Sequence, residues 1–490
     1  MGRAETAMPV RMRRVALVAP EQTLRESLVR IAEAGCVQID LADDGGTDTR
    51  GPAARRLQRL RVESAAPPVL SEAPPDLDAL EREGRADLLA GEAQLEERLG
   101  SAVRHGGVAA LAGWCPQTEV GPTAARVAVA GGALVPLRPP RGIDPPTLLA
   151  GAGTAPPARP VRRSFTPLVS TYGTVPYTDL DPTLPAGIVY VVMFGLMFGD
   201  AGHGLLLVLG ALLLRAGRPR RAAALRPLWP FVAAAGAAAT LAGLAYGEFF
   251  GPTGVLPVLW LEPLQEPMRL LGAAVGLGAV LLAVAYGAGI VNRWREGGPA
   301  AALYSTTGVA GAALYLGLAA VAAAVWLGQT VFGAVGALIA VAGLTLAGAL
   351  YATTAGGPGG AVQTGIQLFD TLVRIGSNVV SFARLAAFGL THAALGAIVW
   401  DATTALVGRG AVGAVLAVAV FLVGNAVTFS LEALVAGVQA LRLEFYELFS
   451  RLFDAEGHPF RPWQLPVQRA REAPLTVAGV EHGSVREERS

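Results

Sequence analysis

At 490 residues the chain has room for two or three domains. More than half of it is hydrophobic, 16% is charged and the mean hydropathy is +0.47, which excludes a wholly soluble class and puts a membrane class first. A net charge of +1 gives no bulk electrostatic case for nucleic acid, and the lack of any lysine excludes a nucleotide loop of the Gly-x-x-x-x-Gly-Lys type.

Composition divides the chain into a polar first part, an apolar middle and a polar end. Residues 1–135 are expected to form a small cytoplasmic α/β domain with a helical arm. Met1 to Arg14 carries charge without an apolar core, so no signal peptide is expected. Arg14–Ala19 predicts a strand, and Leu24, Leu28 and Ile31 predict one face of a helix that Gly35 stops. Val37–Leu41 alternates as a second strand. Asp76 to Arg104 predicts a charged helix with Leu88, Leu95 and Leu99 on one stripe. It reads equally as a short coiled-coil arm or as a helix packed on its own domain. Cys36 and Cys115 give neither a disulfide framework nor metal spacing; no metal and no cofactor is expected. Residues 136–183 predict a Pro-rich linker and the approach to the membrane.

Residues 184–455 predict a mainly α, polytopic membrane bundle. The run Leu184–Leu214 would span ~45 Å as one helix, and would leave Arg215, Arg218, Arg220, Arg221 and Arg226 on the far side. Splitting it near Gly199–Gly204 into a short hairpin returns those arginines to the cytoplasm, as the positive-inside rule asks. Leu228–Phe250, Leu270–Val291, Ala301–Leu327 and Val331–Tyr351 are each long enough for a hydrocarbon core of roughly 30 Å. Ile375–Leu406, preceded by an amphipathic stretch, and Ala411–Phe449 complete a count of about eight passes, with both termini cytoplasmic. Residues 456–490 predict a polar tail, disordered after Trp463.

Charge inside a bilayer costs at least ~2.5 kcal/mol, so each intramembrane polar group asks for a role. Gly199, Asp200, Gly202, His203 and Gly204 form a polar island in which Asp200 suits a helix cap and glycines suit a tight hairpin. A proton relay through His203 is the second reading. Glu248 reads as a hydrated interfacial acid. Asp370, Ser377, Ser381 and Arg384 follow helical offsets of 0, 7, 11 and 14 and share one stripe, with His392 about 80° round from Arg384. Asn425, Thr428, Glu432 and Gln439 share a face of the last span, and Arg442 follows near its inner end. Two such stripes form either a static ion-pair network or an aqueous ion path. Arg384 stays protonated at any biological pH. It therefore cannot pass a proton on, but it lowers the pKa of a carboxylate brought beside it.

Several motifs carry a resemblance. Phe194-Gly195-Leu196-Met197-Phe198-Gly199-Asp200-Ala201-Gly202-His203-Gly204 resembles the Phe-Gly-x-Met-x-Gly-Asp-x-Gly-His/Tyr-Gly signature of subunit a (subunit I) of V/A-type ATPases. Ser381-Phe382-Ala383-Arg384-Leu385 is similar to that family's Ser-Tyr-x-Arg-Leu segment, and Leu431-Glu432 with Gln439 to Glu447 resembles its last helix. Tyr172–Thr183 is similar to its Tyr-Gly-x-Pro-x-Tyr-x-Asp-x-Asp-Pro-Thr segment, and Gly113–Pro116 and Pro145–Leu148 match weaker patterns.

The resemblance implies an ion-translocating stator subunit in the plasma membrane. Two long tilted helices would clasp a ring of proteolipid (c/K) subunits. Arg384 would separate two half-channels, with Asp370 on the cytoplasmic one and Glu432 and His392 on the other. Peripheral-stalk E and G subunits, the central-stalk cap subunit (d/C) and the lipid bilayer are the implied partners; nucleotide and nucleic acid are not. Phe382 stands where the family has Tyr, and about 180 residues precede the membrane against a longer half in the family. A secondary transporter with an intramembrane Arg/Asp/Glu site is the alternative, although no inverted repeat is visible.

Overall fold

The computed structural model describes residues 9–41, 51–60, 67–139, 143–148, 160–177, 179–218, 220–304, 308–354, 360–450 and 457–469. It contains two compact units, Arg11–Pro145 with the segment from Phe460 onward, and Pro146–Pro459 with the first ten residues.

The first unit is the α/β domain. In chain order it holds β1 (Met12–Pro20), α1 (Leu24–Ala34), β2 (Gln38–Ile39), α2 (Pro52–Arg59), β3 (Leu70–Ser71), α3 (Leu77–Arg82), α4 (Ala86–Gly100), β4 (Val103–His105), β5 (Val108–Pro116), α5 (Val120–Val129), β6 (Ala133–Leu137) and β7 (Val467–Gln468). The antiparallel sheet runs β2-β5-β1-β6, with β4 also on β5 and Leu17 facing Leu111. Alternation along β1 buries Val15, Leu17 and Ala19 under Leu24, Leu28 and Ile31 of α1. Gly35 ends α1 as the sequence predicts, at φ +61° with its N–H donating to the Ile31 carbonyl.

The charged helix follows the second of its two readings. Gly84 at φ +67° divides it, and Leu80, Leu88 and Leu89 are buried with Leu57 and Leu60 around them. Arg25 pairs with buried Glu92 at 2.6 Å, tying α4 to α1.

The expected disordered tail needs correction up to residue 469. Trp463 and Leu465 lie in the core of this unit. The Trp463 amide donates to the Val37 carbonyl, and Arg98 stacks over the indole at 4.3 Å. β7 then pairs in parallel with β3. Two apolar residues in a polar run show no periodicity, so their burial was not readable locally. The rest of the predicted tail, 470–490, lies outside the described residues, as do 140–142 and 149–159 of the predicted linker.

The second unit is helical: α6 (Pro160–Tyr172), α7 (Thr183–Met197), α8 (Ala201–Arg215), α9 (Trp229–Tyr246), α10 (Pro267–Tyr304), α11 (Val309–Leu327), α12 (Thr330–Thr354), α13 (Gly360–Ser381), α14 (Ala383–Val407) and α15 (Gly410–Leu443). α6 occupies part of the predicted linker, where Arg162 and Asp181, both buried, form an ion pair. Among the described residues six helical segments are long and apolar enough to cross a membrane, and α7 and α8 are shorter apolar helices, so the expected eight hydrophobic segments are present.

The bundle is inverted relative to a soluble protein. Leu209, Leu338 and Val415 are more than half exposed, whereas Asp200, His203 and His392 are buried. That distribution fits a lipid surround.

The predicted hairpin forms at Gly199–Asp200. Tyr190 lies 5.2 Å from Phe231 at the start of α9, and Gly199 lies against Tyr246 at its end, so α7 runs parallel to α9. Gly204 then lies against Thr240 and Leu207 against Gly236, so α8 runs back.

The two last segments are the longest. Val362–Val407 covers 46 residues and Gly410–Phe449 covers 40. At 1.5 Å per residue these reach about 69 and 60 Å, twice a hydrocarbon core of roughly 30 Å.

Candidate functional site

The site is anchored at the α7–α8 turn. Asp200 is fully buried, and its carboxylate accepts three backbone N–H groups: His203 at 2.9 Å, Phe250 at 3.0 Å and Gly251 at 2.7 Å. The first bond caps α8; the other two fasten the turn to the loop after α9. The Ala201 amide completes the junction by donating to the Glu248 carbonyl at 3.0 Å. Glycine is required because backbones meet here. A Cβ on Gly204 would lie 2.5 Å from the Thr240 nitrogen, and one on Gly202 would strike the Phe250 ring. Phe250 itself adopts φ +53°, among the described residues the one non-glycine at positive φ.

Beyond the cap a buried polar seam crosses three helices. His203 on α8 is 1% exposed, and its Nδ1 lies 3.8 Å from Asp200 Oδ1. The Asn425 amide faces the ring, but its Nδ2 donates to the Phe421 carbonyl at 2.9 Å, and neither His203 nitrogen makes a hydrogen bond. The His392 ring of α14 is 5.7 Å away, and its Nδ1 contacts the Glu432 carboxylate of α15. Phe198, Phe250 and Phe429 enclose the pair. Sequence reasoning put Asp200 and His203 in a hairpin and His392 and Glu432 in a channel. The fold joins all four, across 232 positions of chain that no local spacing connects. One donor atom from each of Asp200, His203 and His392 lies within 4.8 Å of the others, close enough to hold a metal ion.

The Arg384 stripe is less continuous than a straight helix implies. The chain tightens at Phe382, whose N–H donates to Val379 while the Leu385 N–H donates to Phe382. Phe382 is fully buried against Gly278 of α10, and Arg384 lies two residues past the break. Asp370, Ser377 and Ser381 therefore share α13, while Arg384 opens α14. Asp370 is exposed and ion-paired with Arg374 one turn on. Ser377 is exposed and Ser381 half-buried. Arg384 is half-buried, and among the described residues it has no ion pair or hydrogen bond.

On α15, Thr428 is buried and Glu432 12% exposed, with one carboxylate oxygen making no hydrogen bond. Gln439 is half-buried, and its carbonyl oxygen is likewise without a partner. Arg442 is exposed over the Tyr446 ring.

Two acids behave differently from the sequence expectation. Glu248 is 5% exposed, not a hydrated interfacial acid, because the loop after α9 folds over it, with Trp260 donating to the Ala245 carbonyl. Burial, reinforced by the Asp200 charge, pushes its carboxyl up to about 8. Glu444 has no counterpart in the polar stripes of the sequence. It is fully buried with neither carboxylate oxygen bonded, at the point where the last helix widens into the π-helical turn Glu444–Phe449. It lies one helical turn beyond buried Ala440 and next to buried Leu443, so it continues the buried face of α15.

The profile of the V-type ATPase 116kDa subunit family matches residues 154–225 and 366–465, segments that hold Asp200, His203, Arg384, His392, Glu432 and Arg442. A-type ATP synthase subunit I of Aeropyrum pernix is 27% identical over 365 residues, 64% of this chain and 52% of that protein. The Thermococcus kodakarensis protein of the same name is 26% identical over 385 residues, covering 72% and 54%. V-type ATP synthase subunit I 2 of Treponema pallidum is 40% identical over 88 residues, 18% of this chain and 19% of that protein. The chain spans about half the length of the first two relatives.

Proposed function

The chain belongs to the V-type ATPase 116kDa subunit family, and from that premise we propose that it is the ion-conducting stator subunit of a rotary V/A-type ATPase. Arg384 carries the reading. It is a permanent charge half-buried in a long apolar helix, with no counter-ion among the described residues. The two acids of the polar stripes are engaged elsewhere, Asp370 by Arg374 and Glu432 by His392. An uncompensated guanidinium in a low dielectric attracts a carboxylate from another polypeptide.

Such a carboxylate, on a rotating proteolipid ring, loses its ion beside Arg384 and regains one after leaving. Asp370, Ser377 and Ser381 line the cytoplasmic approach. Glu432, His392, His203 and Asn425 line the opposite one, with Gln439 and Arg442 towards the inner end of α15. The ion is H⁺ or Na⁺, and the chain binds no nucleotide itself. The α/β unit meets the E and G subunits of the peripheral stalk and the d/C cap. Both termini face the cytoplasm, and the complex resides in the plasma membrane.

The test is ATP-driven ion uptake by the assembled complex in proteoliposomes, with and without Na⁺. Arg384→Ala is expected to abolish uptake while the subunits still co-purify. Uptake at the wild-type rate refutes the assignment and favours a self-contained transporter.

A further inference from the structure

We propose that Asp200, His203 and His392 form a site for a divalent transition cation of the zinc class, and that its occupancy stops ion movement along the seam. The second half rests on the ion-conducting reading above; the first does not.

Four observations converge. The donor atoms of the three side chains lie within 4.8 Å of one another, and all three residues are 3% exposed or less. Bonds of about 2.0–2.2 Å in a tetrahedron need separations of roughly 3.4 Å, which small side-chain rotations supply. His203 is an enclosed imidazole with neither nitrogen hydrogen-bonded. Leaving it so is costly, and a cation supplies the missing partner. His392 presents Nδ1 to the Glu432 carboxylate, which fixes its ring and leaves Nε2 to bind. A carboxylate behind a metal-binding histidine raises its basicity and sets its tautomer. Asp200 Oδ1 accepts the His203 and Phe250 amides and Oδ2 accepts only that of Gly251, so the lone-pair site left for a cation is on Oδ2.

The donor set selects the cation. Two imidazole nitrogens with one carboxylate oxygen suit zinc and its neighbours, whereas Mg²⁺ and Ca²⁺ prefer oxygen. Three protein ligands leave a fourth position open. The three amides already hold the Asp200 turn in place, so the cation is not needed for folding. Binding is therefore reversible and conditional. A bound dication would put fixed positive charge across the seam, which opposes passage of a cation.

The experiment uses the full chain in detergent micelles and the assembled complex in proteoliposomes, with Zn²⁺ and with Co²⁺ as a spectroscopic probe. Wild type is expected to take up one cation that His203→Gln binds more weakly by well over tenfold, on the order of or beyond second-shell losses. His203→Cys, which restores a ligand, is expected to bind it again; this separates loss of a ligand from loss of the fold. Equal binding by wild type and His203→Gln, or loss in both variants, overturns the site. In proteoliposomes Zn²⁺ is expected to slow wild-type uptake over the concentration range in which it binds. Binding without slowing overturns the blockade and leaves the proposed function standing, since Arg384→Ala tests that without zinc.

Discussion

Asp200 offers the most direct check on how the hairpin is held. Its carboxylate accepts the amides of His203, Phe250 and Gly251 at 2.7–3.0 Å, in a site closed to solvent. Asp200→Ala strips the acceptor from all three. A buried donor left unsatisfied costs about 1–3 kcal/mol. With partial relaxation of the 247–251 loop, the expected loss is about 3–6 kcal/mol. Asp200→Asn keeps one oxygen, able to serve the two amides now on Oδ1, but turns an NH₂ toward Gly251. It should lose about 1–3 kcal/mol. Denaturant unfolding of the purified chain in micelles, followed by tryptophan fluorescence, measures both. Amide hydrogen exchange gives a local readout, with Phe250 and Gly251 opening earlier in both variants. If Asp200→Ala unfolds within 1 kcal/mol of wild type and those amides stay protected, the cap is not what holds the turn.

Glu432→Gln should slow ion uptake by the assembled complex without preventing assembly, because the amide still contacts His392 but cannot titrate; failure to assemble would favour a static network. Glu248 titrates near 8 in the fold against an ordinary 4.5, so the unfolded chain gives up its proton first. Stability therefore falls as pH rises from about 5 to 8, and Glu248→Gln should flatten that slope in unfolding curves taken across the range. Arg384→Met should leave the isolated chain as stable as wild type or more so by about 1–3 kcal/mol, while abolishing uptake; a clear loss of stability would reveal a counter-ion within the chain.

Much of this fold was legible because its signals are local. Gly35 stops α1 by the left-handed conformation that glycine tolerates, and the break at Gly199–Asp200 followed from the arginines beyond α8. Other features have no local signal. The tightening at Phe382 contains neither Gly nor Pro; it is set by the ring lodging on Gly278 of a distant helix. Trp463 and Leu465 return to the α/β core from a polar run, and only the waiting groove around Val37 and Leu70 explains them. The Asp200–His203–His392–Glu432 seam is assembled by helix packing, so helical spacing found its pieces without joining them. Glu248 resembled an interfacial acid because sequence distance from a helix end says nothing about a loop closing over it.

Hydrogen bonding separates the polar groups of the bundle into two kinds. Asp200, Asp181 and the Asp370–Arg374 pair are satisfied within the chain, as static structure requires. His203, one oxygen of Glu432, the Gln439 carbonyl, both oxygens of Glu444 and the Arg384 guanidinium are not, among the described residues. A bundle under selection for stability alone would pair or replace these groups, since each unsatisfied one in a low dielectric costs on the order of 1 kcal/mol or more. These lie on the helices that carry the two long apolar segments and on α8 beside them, while α10 adds one more, Arg295 Nη1. A static network accounts for the first kind and leaves the second unexplained. Partners from outside the chain (water, a moving cation, an acid on another subunit) account for the second, and the proposed stator role would supply all of them.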